Sequence, residues 1–271
     1  MIINFPKQWD FLRPVSIGNM IRIGDNGDGG YVIPELVIEK VDTLVSLGIG
    51  SNWSFDENFR KLNSKISVCA YDYSISSKRF KSLAFKSLIR ALFFKEDFNF
   101  FLKRWNYYRN FNKFFDGVLI KHYPLRIYNP KLYAFDITFN ELIQSINGRE
   151  IFLKVDIEGS EYRIIQQIIN ARDRILAIAI EFHDIGPLKS TFENAIKSLK
   201  DHYHITHVHV NNGGGIYEAD TPEVIEITLV RKNSFSAVSE ARIELPINGL
   251  DWPNVSGEQD YVIKFACDLP Q

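Results

Sequence analysis

Acids and histidines recur at a spacing of two in three stretches of this sequence. They are Asp156 and Glu158, then Glu181 and His183, then His207, His209 and Asn211. Residues two apart in an extended chain project to the same side, so each set presents its groups together. Each set ends or follows a strand-like stretch: Ile151–Asp156, Ile175–Glu181 and the alternating run from His204 to Val210. Ligands in open α/β sheets bind beyond the carboxyl ends of such strands. Acids and imidazoles gathered there must be solvated, paired or bound to a cation. Two chemistries suit them: proton removal from an acceptor by a general base, or ligation of a divalent metal. Asp156 and His183 are the candidate bases, with Glu181 orienting a partner. Asp156, Glu181 and a strand-six histidine, His209, are the candidate metal ligands. The residues do not choose between these chemistries, and for Glu158 and Glu161 capping of the following helix is an equally simple role.

The elements that must position these groups are announced by a glycine corner. The apolar run Val41 to Leu47 reads as a buried strand, and it ends in Gly48-Ile49-Gly50-Ser51-Asn52 before a helical pattern of Asp56, Phe59 and Leu62. Glycine suits such a turn because the bend is tight and a ligand must approach the backbone. The next strand, Ile66 to Asp72, ends in a carboxylate, where folds of this kind bind a ribose diol. Gly48, Gly50, Ser51, Asn52, Asp72 and Tyr73 are therefore the candidate cofactor-binding residues. Trp53 and Ser54 stand where a dinucleotide fingerprint has its third glycine. That substitution points to an adenosyl ligand without a pyrophosphate, such as S-adenosylmethionine.

Further along, strands alternate with helical patterns. Val118–Ile120 reads as strand three, and helices are expected over 136–144, 160–169 and up to Lys200. Val224 to Val230 reads as strand seven, joined to strand six by the Gly213-Gly214-Gly215 loop without a helix, so these two should pair antiparallel. The expected class is α/β: a Rossmann-like, doubly wound sheet of seven strands, mostly parallel, in a single domain spanning 1–271. Residues 1–40 form a leader whose Gly24–Gly30 loop either lies over a ligand or is a plain hairpin before the first core strand, and 232–271 a closing segment with a strand at Tyr261 to Phe265. Residues 76–115 interrupt the pattern with aromatic and basic residues at helical spacing. They read as an amphipathic helical insertion, serving as a lid, a homo-oligomer surface or a patch for an anionic acceptor, or simply packing on the core.

The chain of 271 residues has 45% hydrophobic and 24% charged residues and a net charge of -1, which gives no overall bias toward nucleic acid or a membrane. Two cysteines, Cys69 and Cys267, are too few for a disulfide framework or a zinc site. Reduced thiols, the absence of a signal-like N-terminus and the lack of an apolar run of spanning length set the expectation of a cytoplasmic protein without a transmembrane segment.

The segment Phe152-Leu153-Lys154-Val155-Asp156-Ile157-Glu158-Gly159-Ser160-Glu161 resembles the signature of FkbM-type methyltransferases. The glycine corner, Asp72, Phe135–Leu142, Glu181-Phe182-His183 and Val208–Asn212 extend the resemblance over roughly residues 22–231, broken by the aromatic insertion. It implies a Rossmann-like fold with its last strand antiparallel, S-adenosylmethionine as cofactor and O-methyl transfer. The implied acceptor is a small molecule, a sugar hydroxyl in polysaccharide or glycolipid assembly, and no nucleic acid is expected. Ser46 departs from the acid that such enzymes often carry before the glycines, and Asp28 is a conceivable substitute. Two rivals differ in class. A nicotinamide-dependent sugar oxidoreductase would bring a third glycine and a Tyr-x-x-x-Lys pair, which this sequence lacks; a catalytically silent scaffold would have no use for Asp72 and Asp156.

Overall fold

The computed structural model describes residues 1–93, 97–218, 221–235 and 244–266. Phe94, Lys95 and Glu96 of the expected insertion, and Cys267, lie outside the described residues. The chain begins with a short strand, Ile2–Phe5, a 3-10 turn and a hairpin of Met20–Ile23 with Tyr31–Pro34. The core then follows as β1 (Thr43–Leu47), α1 (Ser54–Leu62), β2 (Ser67–Tyr71), α2 (Ser77–Leu92), α3 (Phe98–Phe114), β3 (Ile120–Tyr123) and α4 (Phe139–Ser145). It is completed by β4 (Ile151–Val155), α5 (Ile165–Asn170), β5 (Ile175–Phe182), α6 (Lys189–Lys200), β6 (Tyr203–Val210) and β7 (Ile225–Arg231).

The seven strands form one sheet in the order β6-β7-β5-β4-β1-β2-β3. β7 enters between β5 and β6 and runs antiparallel to both, while the remaining pairs are parallel. The order reverses beside β1, so the crevice beyond β1, β2 and β4 is the switch point at which doubly wound sheets hold ligands.

Continuous apolar runs suit strands covered on both faces. Val45, Leu47, Leu153 and Val155 face one core with Phe139 and Leu142 of α4, Ile168 of α5 and Phe192 of α6. Leu44, Val68 and Phe152 face the other, with Phe55 and Phe59 of α1 and Tyr31 of the hairpin. The other strands shift by one or two residues at their ends, and four boundaries differ as follows. β3 starts at Ile120 because Asp116-Gly117 forms a turn that leaves Val118 and Leu119 exposed. α4 starts at Phe139 because Thr138 and Glu141 form a reciprocal capping box, while Asp136 pairs with Arg126. The expected helix over 160–169 is a 3-10 turn, Glu161–Arg163, followed by the short α5. The closing strand begins one residue later, Val262–Phe265, and pairs in parallel with Ile2–Phe5.

Ser46, which occupies the place of the acid, is fully buried and donates to Asp56 Oδ1 of α1 at 2.7 Å. The other Asp56 oxygen is buried without a partner. Burial pushes this carboxyl up to about 6 from 3.8, with Ser46 and Lys154 opposing the rise. Because the folded value exceeds the unfolded one, the stability this group contributes is complete below pH 3.8 and is lost as pH rises through about 6. Ionised Asp56 then costs about 3 kcal/mol at neutral pH. The Asp56→Asn variant is expected to gain in thermal midpoint over the parent at pH 8 and not at pH 4. Parallel pH dependences for the two proteins would contradict this account.

Candidate functional site

Strand register decides which side chains meet. Leu47 stands opposite Tyr71 on one side and Val155 on the other. The ladder continues one step beyond each strand, through Gly48 N–H to Tyr71 O (2.9 Å), Asp156 N–H to Leu47 O (2.9 Å) and Asp72 N–H to Tyr123 O (3.0 Å). Gly48, Asp72 and Asp156 therefore stand side by side at one level. Between them opens a cleft of about 530 Å³, lined also by Asp28, Gly50 and Tyr73.

The two glycines of the corner serve different ends. Gly48 has φ 75°, and a Cβ there would lie 1.6 Å from the Asp156 carbonyl oxygen, so only glycine lets β1 and β4 end side by side. Gly50 has φ 50°, and a Cβ there would meet nothing within 4 Å; the room beside it belongs to the cleft. Asp72 holds this corner in shape. Its Oδ2 accepts from the amides of Ile49 (3.1 Å) and Gly50 (2.7 Å), and its Oδ1 from Ser74 N–H (2.7 Å). A carboxylate has about four acceptor positions, so roughly one remains for a ligand hydroxyl. Ser51 and Asn52 also line the cleft, and Asn52 donates to Asp28 O at 3.0 Å, fastening the hairpin loop over it. Tyr73 stacks on Phe135 at 5.4 Å, and Phe135 on Tyr133 at 5.3 Å. Arg126 lies 5.1 Å from the Tyr133 centroid and is fixed by a two-point pair with Asp136 at 2.8 and 2.9 Å.

At the far end of the cleft the chain turns at Asp156-Ile157-Glu158-Gly159. Glu158 and Asp184 are left-handed, with φ 53° and 54°, an uncommon conformation for residues other than glycine. Fully buried Glu161 organises the turn: its Oε1 accepts from Ile157 N–H (3.1 Å), Gly159 N–H (3.2 Å) and His183 Nδ1 (3.1 Å). That contact leaves His183 Nε2 facing Glu158 Oε2 at 3.7 Å and Glu181 Oε1 at 3.9 Å. Ligand atoms of Asp156, Glu158 and His183 lie within 4.8 Å of one another. Burial works against a charged His183, but its bond to Glu161 and the charges of Glu161, Glu181 and Asp156 outweigh that and raise its pKa. Glu181 is raised by burial first, then by Glu226 and Asp156.

Three expected placements are corrected here. His183 does not line the cleft itself; its Nε2 stands 3.7 Å from Glu158 Oε2, and Glu158 lines the cleft. Glu181 is not among the cleft-lining residues; it is buried under Tyr31 and bonded to Asn211 Nδ2 at 2.7 Å. His209 does not join Asp156 and Glu181 in a metal set, because both its nitrogens are taken. Nδ1 faces Glu226 at 3.1 Å and Nε2 faces Asp260 at 3.0 Å. Burial disfavours its charge, yet the bonds to Asp260 and Glu226 raise its pKa to about 10. His207 similarly meets Asp251 at 3.0 Å. Both histidines thus fasten the closing segment across the end of the sheet. Among the described residues the group that converges as a ligand set is Asp156, Glu158 and His183.

Lys154 was missed as a site residue. It is buried in β4, flanked in register by small Ser46 and Ala179, which leave room for its stem. Its ammonium donates to Gly48 O at 3.0 Å, reaches Asp156 Oδ2 at 3.4 Å and lies 5.3 Å from the Tyr31 ring centroid. A lone lysine inside an apolar strand was the available signal, since burial of an ammonium demands partners.

No helix among the described residues is long and apolar enough to cross a membrane. No family model and no curated protein matches the chain in sequence. Among solved structures it is similar to a precorrin-6y C5,15-methyltransferase from Geobacter metallireducens, with 13% identity over 73% of this chain and 87% of that one and a TM-score of 0.35. It is similar to a Streptococcus thermophilus rRNA methylase, with 11% identity, 73% and 92% coverage and a TM-score of 0.36. A third is the Methanococcus jannaschii fibrillarin pre-rRNA processing protein, with 12% identity, 83% and 84% coverage and a TM-score of 0.39. The strand order described above, rather than these likenesses, defines the fold: a Rossmann-like α/β sheet with its seventh strand antiparallel between the fifth and sixth.

Proposed function

We propose that this protein is an S-adenosylmethionine-dependent methyltransferase of FkbM type that methylates a hydroxyl oxygen of a small acceptor, a sugar unit. The observation that carries the reading is the alignment of Gly48, Asp72 and Asp156 around one cleft at the switch point of the sheet. An adenosyl group suits this cleft: Gly50 leaves the approach to the backbone open, Asp72 keeps an acceptor position for a ribose hydroxyl, and Tyr73 supplies an aromatic surface beside it. A dinucleotide suits it poorly. Trp53 stands at the position of the third glycine, and its ring is buried against Phe80 and Phe111. Bound S-adenosylmethionine would supply an activated methyl group, so positioning can account for much of the rate. In this reading one base, Asp156 or His183, receives the single acceptor proton, Glu161 fixes the imidazole, and Lys154 holds the glycine corner and Asp156 at a constant separation. A divalent metal would instead sit on Asp156, Glu158 and His183 and acidify the acceptor hydroxyl.

Calorimetry is expected to show binding of S-adenosylmethionine and S-adenosylhomocysteine but not of NAD. Asp72→Ala should weaken that binding by about 1.5–3 kcal/mol, the worth of a hydrogen bond to an ionised acceptor. Asp72→Ala with unchanged affinity would remove this residue from the site, and tight NAD binding would overturn the cofactor assignment. Incubation with labelled S-adenosylmethionine and a panel of nucleotide sugars and glycans then tests the acceptor class.

A further inference from the structure

We propose that the α2–α3 hairpin is a docking surface for an anionic membrane, an inference independent of the proposed function. Ser76 and Asp97 cap the two helices, and the hairpin they form is inserted between β2 and β3. Its root is fixed: Phe80, Ala84 and Ser87 of α2 and Phe111 of α3 are buried, and Phe80 and Phe111 pack against Ile49 and Trp53 of the glycine corner.

Beyond the root the hairpin keeps its apolar side chains in water. Phe85, Ile89 and Leu92 recur at spacings of four and three along α2, and Phe98, Leu102 and Trp105 do the same along α3; all six are exposed. The helices meet in a groove of about 560 Å³ lined by Phe85, Leu88, Phe101 and Trp105, with Lys78 and Lys81 at its border. Neither helix contains an acid, while together they carry nine basic residues: Lys78, Arg79, Lys81, Lys86 and Arg90 on α2, and Lys103, Arg104, Arg109 and Lys113 on α3. In a chain of net charge -1 this concentrates positive charge on one protrusion.

Exposed Phe, Trp and Leu on helices whose charged positions are all Lys and Arg, with Ser and Asn as the other polar residues, match the composition of helices that lie in the membrane interface. The basic residues would be drawn to anionic headgroups and the apolar ones to the acyl boundary. Charge complementarity selects this occupant over a second copy of the chain, which would bring two sets of nine basic residues together. The aliphatic Ile89, Leu92 and Leu102 select it over single-stranded nucleic acid, which stacks on aromatic rings and has no use for them. Docking through this hairpin would hold the glycine corner, and with it the cleft, close to the lipid surface.

The test is co-sedimentation of the full chain with vesicles of phosphatidylcholine alone and of phosphatidylcholine mixed with phosphatidylserine. Binding is expected to the mixed vesicles only, and to fall as salt is raised. Phe85→Asp with Trp105→Asp, and separately Lys78→Glu with Lys81→Glu, should each reduce it by about tenfold or more, with circular dichroism and the thermal midpoint reporting that each variant is folded. Failure to bind the mixed vesicles, equal binding to both compositions, or undiminished binding by the folded double variants would overturn the proposal. So would light scattering that shows a dimer dissolved by Phe85→Asp, or retention of an RNA oligonucleotide by a protein that ignores vesicles.

Discussion

The His183→Ala variant is expected to transfer methyl groups about 10²–10⁴-fold more slowly than the parent, the usual contribution of a general base, while its affinity for S-adenosylmethionine stays unchanged. The imidazole stands beside the cleft rather than in its lining: Nδ1 is tied to Glu161, and Nε2 is turned toward Glu158, which lines the cleft, and toward Glu181. An interaction made only with the reacting hydroxyl appears in turnover and not in ground-state binding. Its pH dependence has a defined sign. Burial lowers the His183 pKa, but Glu161 and the neighbouring charges outweigh it and raise it, so the base form is populated only as pH climbs past neutrality. Turnover should therefore rise on the alkaline side, and the variant should lose that limb. Asp156→Ala should be comparably slow. A chelator separates the two chemistries: base catalysis survives it, whereas a metal on Asp156, Glu158 and His183 would be stripped and then restored by added Mg²⁺ or Mn²⁺. Full activity in both His183→Ala and Asp156→Ala would return these residues to a structural role.

Gly48→Ala is expected to be the most damaging single methyl group in the molecule. Its Cβ would lie 1.6 Å from the Asp156 carbonyl oxygen, and its φ of 75° is already costly for any residue with a side chain. Left-handed strain of about 1–2 kcal/mol and an overpacking penalty of about 1–3 kcal/mol act together. Denaturant unfolding should show a loss of about 2–5 kcal/mol on these grounds, together with loss of cofactor binding, because the ends of β1 and β4 must part. Gly50→Ala makes the comparison, since a Cβ there meets nothing within 4 Å. It should cost only the strain of about 1–2 kcal/mol while still narrowing the cleft. Similar, mild unfolding losses in the two variants would mean that the corner tolerates a shift the packing denies.

The strands and the switch point were legible because their signals are local. Short runs such as Ile151–Val155 and Ile175–Ile180, rich in branched apolar residues, read as buried strands; Asp156 follows the first at the sheet end, whereas Glu181 still lies within β5. That reasoning gathered Asp156, Glu158, Glu181, His183 and His209 at the strand ends, of which Asp156, Glu158 and His183 converge. It failed for His209, whose neighbours come from Glu226 on an antiparallel strand and Asp260 in the closing segment, partners set by pairing far along the chain. It failed for Lys154 for a related reason, since the Gly48 carbonyl and the Tyr31 ring come from two other segments. Val118 and Leu119 misled because apolar type alone does not show where a turn begins; the Asp116 side chain, which accepts from Val118 N–H at 2.8 Å, decides it.

The left-handed Glu158 and Asp184 have a consequence for how this sequence could evolve. Each would sit more comfortably as glycine, by about 1–2 kcal/mol at most, so laboratory selection for heat resistance alone has a ready route at both positions. The routes differ in outcome. Glycine at 184 removes a carboxylate outside the converging triad, whereas glycine at 158 removes one of its three members. Under selection for stability without activity, position 158 should drift to glycine; under selection for both, the strained glutamate should persist.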